Sequence, residues 1–491
     1  MRKIVVIGAG LGGLSAAALL AKAGYDVTLV EKNREPGGRA AVWKRDGFIF
    51  DLGPSWYMLP ELFDQYFAEF GRQSEDFYHL ERLDPSYRIY WNTQEYVDVP
   101  ADLDAARALF ESIELGAGAK LDAFLADAAY KYQVGFDKFV YQDYSSIRQL
   151  LKPELIFSAW RLNLLGNLES HIKRYFKHPR LQQILSFPVV FLGGSPKNVP
   201  ALYSLMAHAD FNRGIWYPRG GIGKVVEAFV EIALEAGVRF HFGEPVEKIL
   251  CTKGRVHGVQ TSAGTLAADI VVSNADYAHT ELTLLAAEDR SYPEAYWQKR
   301  TFAPSAFLIY LGLNRRLPML QHHTFYFDPS WEKHFDSLFK IPAWPENPSF
   351  YINVPSRTDP TVAPEGGETL MLLVPIAAGL NDDNVLREAF GNMLLRRLNE
   401  IVGFDLAQHT VVKKQFGPHD FRSRYNAYGG TAFGLAHTLG QTACFRPRLR
   451  SQKLRNLFYV GQYTHPGIGI PIVPISAQLV RDQIVNDLSV S

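Results

Sequence analysis

The sequence predicts an α/β fold of Rossmann type, joined to a mixed α+β substrate domain and a helical insertion. Three observations near the N-terminus carry this expectation. A β-branched run, Lys3-Ile4-Val5-Val6-Ile7, feeds the glycine turn Gly8-Ala9-Gly10-Leu11-Gly12-Gly13, and an Ala- and Leu-rich helix follows. A second apolar run, Val27-Thr28-Leu29-Val30, ends on Glu31. A further glycine pair, Pro36-Gly37-Gly38-Arg39, comes shortly after. Strand, turn, helix and strand in that order give the G-x-G-x-x-G spacing a structural context that the bare motif lacks.

Each part of this unit has a physical task. Gly8 permits the tight turn, Gly10 lets the backbone approach a pyrophosphate, and Gly13 lets the helix lie close to the strand, with Gly12 in the same turn. The helix start presents unpaired N–H groups and partial positive charge to phosphates. Glu31 can accept hydrogen bonds from both ribose hydroxyls, and an acid there disfavours a 2′-phosphate. The ligand is therefore an ADP-containing dinucleotide. A NAD-type domain leaves Gly37 and Gly38 unexplained. They suit a longer, bent cofactor, with Arg39 near its phosphates or ring. Here the chain resembles the large FAD family that includes amine oxidases, protoporphyrinogen oxidase, Rab escort proteins and carotenoid desaturases. FAD is the expected cofactor, within a glutathione-reductase/amine-oxidase-like domain.

Flavoproteins of this kind are expected to build the cofactor domain from separated segments, here 1–80, 216–285 and 416–491. The first continues from the glycine pairs through Asp51-Leu52-Gly53-Pro54-Ser55. The second opens at Tyr217-Pro218-Arg219-Gly220-Gly221-Ile222-Gly223, passes through a helix and a strand at Val238–Phe242, and reaches Ser273-Asn274-Ala275 through short strands that include Val246–Leu250. The third holds the apolar strand Asn456–Val460, which runs into Gly461, and a terminal helix from about Ile475. Two insertions separate them. Residues 81–215 read as a helical, membrane-facing substrate region, and 286–415 as a strand-rich substrate domain with Ala306–Leu311 and Leu370–Val374 flooring a cavity.

Composition narrows the function classes. The 491 residues point to two or three domains, and 47% hydrophobic with 13% aromatic content supports a well-buried interior. Lys+Arg and Asp+Glu balance at 51 each, which argues against a nucleic-acid partner. Cys251 and Cys444 form neither a disulfide framework nor a metal-binding spacing, so no metal is expected and a reducing cytosol fits. Arg2 and Lys3, the apolar stretch and Ala21-Lys22-Ala23 imitate a secretory leader, but cleavage there would destroy the glycine turn. No apolar run is long enough to span a bilayer. Residues 148–180 hold seven basic residues (Arg148, Lys152, Arg161, Lys173, Arg174, Lys177, Arg180) against Glu154 and Glu169, interleaved with Leu, Ile, Phe and Trp. Such a stretch suits either a helix at a lipid headgroup surface or a buried helix with solvated ends.

The block Thr464-His465-Pro466-Gly467-Ile468-Gly469-Ile470-Pro471, with Ser476-Ala477 beyond it, is similar to the terminal flavin-binding signature of bacterial-type carotenoid desaturases, of which the phytoene and dehydrosqualene enzymes are examples. Asp51–Pro60, Tyr351-Ile352-Asn353, Asp359-Pro360, Ala363–Gly366 and Gln441–Pro447 match that family as well. The resemblance implies that Gly8, Gly10, Gly12, Gly13, Glu31, Lys32, Gly37, Gly38, Arg39, Gly53, Pro54, Ser55, Val246, Gly461, Pro466, Gly467, Gly469, Ile470 and Pro471 bind the cofactor. It further implies hydride transfer to flavin N5 from a linear isoprenoid or carotenoid precursor, phytoene first, with oxygen or a quinone as terminal acceptor. The enzyme is then expected at the cytoplasmic face of the membrane that holds its substrate. No catalytic dyad stands out. His465 either orients its loop or handles a proton, and the second proton goes to reduced flavin, to water or to a carboxylate. Gln462-Tyr463, Ile468, Ile472 and Pro474 depart from the small or flexible residues usual there, which leaves substrate length and step count open. A dehydrosqualene desaturase, a carotenoid isomerase or oxygenase, an amine- or porphyrinogen-type flavin oxidase and a prenyl-chain carrier remain as rivals.

Overall fold

A computed structural model describes residues 1–143, 162–163 and 166–489. In chain order the strands of its two large sheets are β1 (Lys3–Ile7), β2 (Asp26–Glu31), β3 (Tyr87–Tyr90), β4 (Tyr96–Val99), β5 (Arg239–Phe242), β6 (Ile270–Ser273), β7 (Ser305–Leu313), β8 (His323–Tyr326), β9 (Phe350–Asn353), β10 (Glu368–Ile376), β11 (Thr410–Phe416) and β12 (Leu457–Tyr459). The first sheet is parallel with order β12-β6-β1-β2-β5, so it takes strands from all three separated segments of the chain. Its central strand β1 is buried from Ile4 to Ile7. Helix α1 (Leu11–Lys22) packs on it and against both α2 (Ile222–Glu235) and the terminal helix (Val473–Ser489). The Ala16-Ala17-Ala18 face of α1 is fully buried, and its small side chains let three helices and a sheet meet closely.

The second sheet has seven strands in the order β11-β7-β10-β9-β8-β3-β4. β7 and β10 pair antiparallel along their full length, from Ser305 opposite Ile376 to Leu313 opposite Glu368. All nine residues of β7 are buried, as an unbroken apolar run with both faces covered requires. Phe307, Ile309 and Leu311 pack with Phe390, Leu394 and Leu398 of a covering helix (Asn384–Val402). Ala306 and Leu308 point the other way, toward Phe325 and Tyr351 and the interior cavity.

The range 81–215 is not wholly helical. β3 and β4 lie within it, and β3 pairs in parallel with β8 of the second sheet. The cause is local: Tyr87-Arg88-Ile89-Tyr90 is buried at every position and supplies aromatic and β-branched side chains to both faces of a strand. Of the basic stretch 148–180, residues 148–161 and 164–165 lie outside the described residues. The described part forms two short helices, Leu168–Lys173 and Pro179–Ser186. Among the described residues no helix is long and apolar enough to cross a membrane.

Candidate active site

The glycines mark out a cradle in which backbone meets backbone. A Cβ on Gly13 would lie 1.9 Å from the Gly8 carbonyl oxygen, so α1 can seat on the β1 turn only with glycine there. Gly37 N–H donates to the Ala9 carbonyl at 2.8 Å, and a Cβ on Gly38 would stand 3.2 Å from Gly10 Cα. The two glycine pairs are therefore pressed together, as a bent cofactor held by both would need. Gly53 packs on the Arg39 carbonyl, where a Cβ would come within 2.4 Å.

Asn274, which sequence reasoning placed only at a strand end, sits at the centre of this cradle. Its side-chain amide would clash with a Cβ on Gly10, Gly12 or Gly461. The signal available was positional: it directly follows the parallel strand β6, where such sheets bind ligands.

At the tip of β2, Glu31 Oε2 accepts the Ala9 N–H at 2.8 Å, while Oε1 accepts from Asn33 N and Nδ2 at 2.8 and 2.7 Å. A lone pair on Oε2 is left for a ribose hydroxyl. Lys32 turns toward the far wall, donating to the Ser423 carbonyl at 2.7 Å and to Asn426 Oδ1 at 2.8 Å. Glu31, Lys32 and Val246 line the same end of the cavity. Arg39 spreads over the Tyr425 ring at 5.4 Å, near Asp276. Among the described residues its Nε is buried without an acceptor, and so is Arg424 Nε. Unmatched buried guanidinium donors beside a glycine turn fit the anionic phosphates of FAD.

The C-terminal loop closes the other side. Gly461, Gly469, Ile470 and Pro471 line the cavity with His465 and Pro466, whereas Gly467 stands behind them. With φ at +125°, Gly467 has His437 Cε1 within 2.3 Å of where a Cβ would be, and Arg446 Cζ at 3.4 Å. Buried Arg446 holds this loop by donating to the carbonyls of Gln441, Gln462, Tyr463 and Thr464. Burial pulls its pKa down to about 10, so it stays cationic at neutral pH. His437 Nε2 accepts the Ile468 N–H at 3.1 Å, so Nδ1 carries the hydrogen and donates to the Tyr203 hydroxyl at 2.6 Å. Nε2 of His465 is 3.0 Å from the carbonyls of both Phe139 and Val140, and burial lowers the ring's pKa to about 4. Its N–H is spent on fixing the loop against the helical region.

From this cradle one cavity of about 680 Å³ runs into the protein between the two sheets. Trp56, Met206, Phe187, Leu308, Phe325 and Tyr351 are among its walls, and the lining as a whole is predominantly apolar. No group of side chains that could hold a metal ion occurs among the described residues.

Comparison with known proteins agrees with this geometry. The family model for flavin containing amine oxidoreductases matches residues 11–479. A carotenoid 3,4-desaturase of Haloarcula japonica is 45% identical over 487 residues, covering 99% of this chain and 98% of that protein. A zeta-carotene-forming phytoene desaturase of Myxococcus xanthus is 36% identical over 99% of this chain and 94% of its own length. Among solved structures, an oxidoreductase from Methanosarcina mazei superposes with a TM-score of 0.62 at 19% identity, covering 98% of this chain and all of that one, which speaks to the fold alone. Fold and site thus define an FAD-dependent oxidoreductase acting on CH–CH groups. The chain belongs to the flavin-containing amine oxidoreductase family and, within it, to the bacterial-type carotenoid desaturases.

Proposed function

We propose that this flavoenzyme introduces conjugated double bonds into a linear carotenoid or its precursor, with phytoene the first candidate. The observation that carries the reading is the predominantly apolar cavity leading away from the FAD cradle. The substrate has no polar handle, so binding rests on burial, about 0.8 kcal/mol per CH2. Bound FAD supplies a hydride acceptor. The chain's own residues hold the reacting carbons in contact with it and exclude water. Gly8, Gly10, Gly12 and Gly13 would take the pyrophosphate, Glu31 the ribose, and the 461–471 loop the ring edge. His465 serves to orient that loop. Two of the relatives' names bear on the finer question, since one specifies 3,4-desaturation and the other phytoene as starting material. Electrons leave to oxygen or a quinone. The protein works at the cytoplasmic membrane surface, because a free carotene in water is prohibitively costly.

Expression in a bacterium that accumulates phytoene tests the reading. Yellow or red products, counted by absorption and chromatography, are the expected result. Colourless cells with intact phytoene, from a strain whose purified protein carries flavin, would refute phytoene as substrate. Oxygenated or isomerised products would move the assignment to those activities.

A further inference from the structure

Each desaturation must remove a proton as well as a hydride, and the apolar cavity offers few groups to take it. Besides the Tyr203–His437 pair, whose His437 Nε2 is taken up by the Ile468 N–H, a second polar chain reaches its wall. Tyr351, on β9, places its hydroxyl 2.8 Å from Ser55 Oγ and 2.6 Å from Nδ1 of His323 on the neighbouring strand β8. Ser55 and Tyr351 line the cavity beside the FAD cradle, while His323 lies directly behind them with no exposed surface. The His323 ring stacks on the Trp56 indole with centroids 4.2 Å apart and planes within 9°. Its Nε2 is buried without a hydrogen-bond partner among the described residues. The adjacent His322 bonds Thr358 through Nδ1 and likewise has an unpartnered, buried Nε2. A histidine kept half-satisfied in so apolar a place costs stability that an apolar side chain of similar shape would not. Burial disfavours the charged form of both rings, so each is neutral at rest and a proton taken up by His323 is held only transiently.

We propose that Tyr351, backed by His323, accepts the proton that completes each new double bond. This rests on the desaturase reading above. Once the hydride pair has gone to the flavin, the substrate is a delocalised cation. The C–H bond on the neighbouring carbon then breaks and its electron pair becomes the second bond of the alkene. The proton bonds to Tyr351 Oη as the original phenolic proton moves to His323 Nδ1. Tyrosine ends neutral and the positive charge resides on the imidazole, where the Trp56 face stabilises it. The oxidant that takes up the hydride pair, oxygen or a quinone, also takes up this proton, so the relay resets once per turnover. Tyr351 is the catalytic residue. His323 acts through it.

The test uses FAD-loaded full-length protein with Tyr351→Phe and His323→Gln variants, and phytoene in liposomes. Two isotopologues are compared, each deuterated at one carbon of the reacting CH2–CH2 unit. Net flavin bleaching is followed anaerobically; the cation can take its hydride back until the neighbouring proton leaves, so slow proton removal also slows net bleaching. In the parent protein one label slows bleaching and the other has an effect near one, because hydride loss limits the rate. Both variants should keep the flavin spectrum, bleach at least about tenfold more slowly, and show an effect of about three or more at the second carbon. Unchanged rates, or slowing with that second effect still near one, would overturn the proton assignment. A parent protein that phytoene does not bleach would instead count against phytoene as substrate. Should one variant fail to bind FAD, the other carries the same measurement.

Discussion

At Gly13 the tolerance of the nucleotide turn is smaller than a methyl group. A Cβ there would overlap the Gly8 carbonyl, so Gly13→Ala must push α1 off the turn. Overpacking of this kind costs about 1–3 kcal/mol, and the expected result is FAD binding weaker by at least about tenfold in a flavin fluorescence titration. Asp210 makes a different prediction. It is buried in the helical layer, accepts the Tyr87 hydroxyl at 2.9 Å, and burial raises its pKa to about 7. The folded state therefore holds a proton that the unfolded chain releases near pH 4. Stability from this group is complete below about pH 4 and is lost as pH rises through about 7. Asp210→Asn should leave Tm nearly unchanged at pH 4 and raise it by about 1–3 °C at pH 8, as differential scanning fluorimetry would read. The sequence announced Gly13 through its spacing. It could not announce Asp210, Asn274 or the Tyr351–His323 pair, because each depends on partners far away in the chain.

The 461–471 loop is the element on which the flavin wall depends, and it is held from behind. Arg446 is a guanidinium with carbonyl partners on both sides of the loop's first turn, and His437 takes the Ile468 amide. Arg446→Met would strand four carbonyl groups without a donor, whereas Arg446→Lys keeps the charge but can meet fewer of them. Both should bind FAD more weakly, Met the more severely, with loss of the thermal shift that added FAD gives the parent protein. An equal shift in all three proteins would show that the loop needs no such clamp. The loop's glycines and prolines were legible as a motif, as was the strand β12 before it. Its clamp was visible only as the Gln441–Pro447 resemblance, without a role. The strands β3 and β4 were missed for a related reason: short aromatic runs between helices carry little periodicity, and their pairing with β8 is set by the sheet rather than by local pattern.

For the whole molecule, the cavity has to meet the phase in which its substrate is dissolved. Leu439 and Phe445 line the cavity and are also 42% and 46% exposed, so its apolar wall reaches the surface there. The helix Leu168–Lys173 is coupled to the same wall: His171 meets buried Lys131, which donates to the Ala201 carbonyl, and Leu202 and Tyr203 follow in the lining. Lys173, Arg174 and Lys177 are exposed on that region. On the membrane-surface reading proposed above, these cations add attraction to an anionic bilayer, at about 1 kcal/mol each. Replacing Arg161, Lys173, Arg174 and Lys177 together by Glu should weaken sedimentation with phosphatidylglycerol-containing liposomes by at least about a hundredfold. Turnover of a detergent-dispersed carotene should remain, since Lys173, Arg174 and Lys177 are not among the residues that line the cofactor cradle. Unchanged sedimentation would show that substrate enters without docking on anionic lipid. Loss of both properties would mean that the charge reversal had disturbed the fold, and a double reversal of Lys173 and Lys177 alone would then decide the matter, with a smaller loss of binding expected and undiminished turnover in detergent.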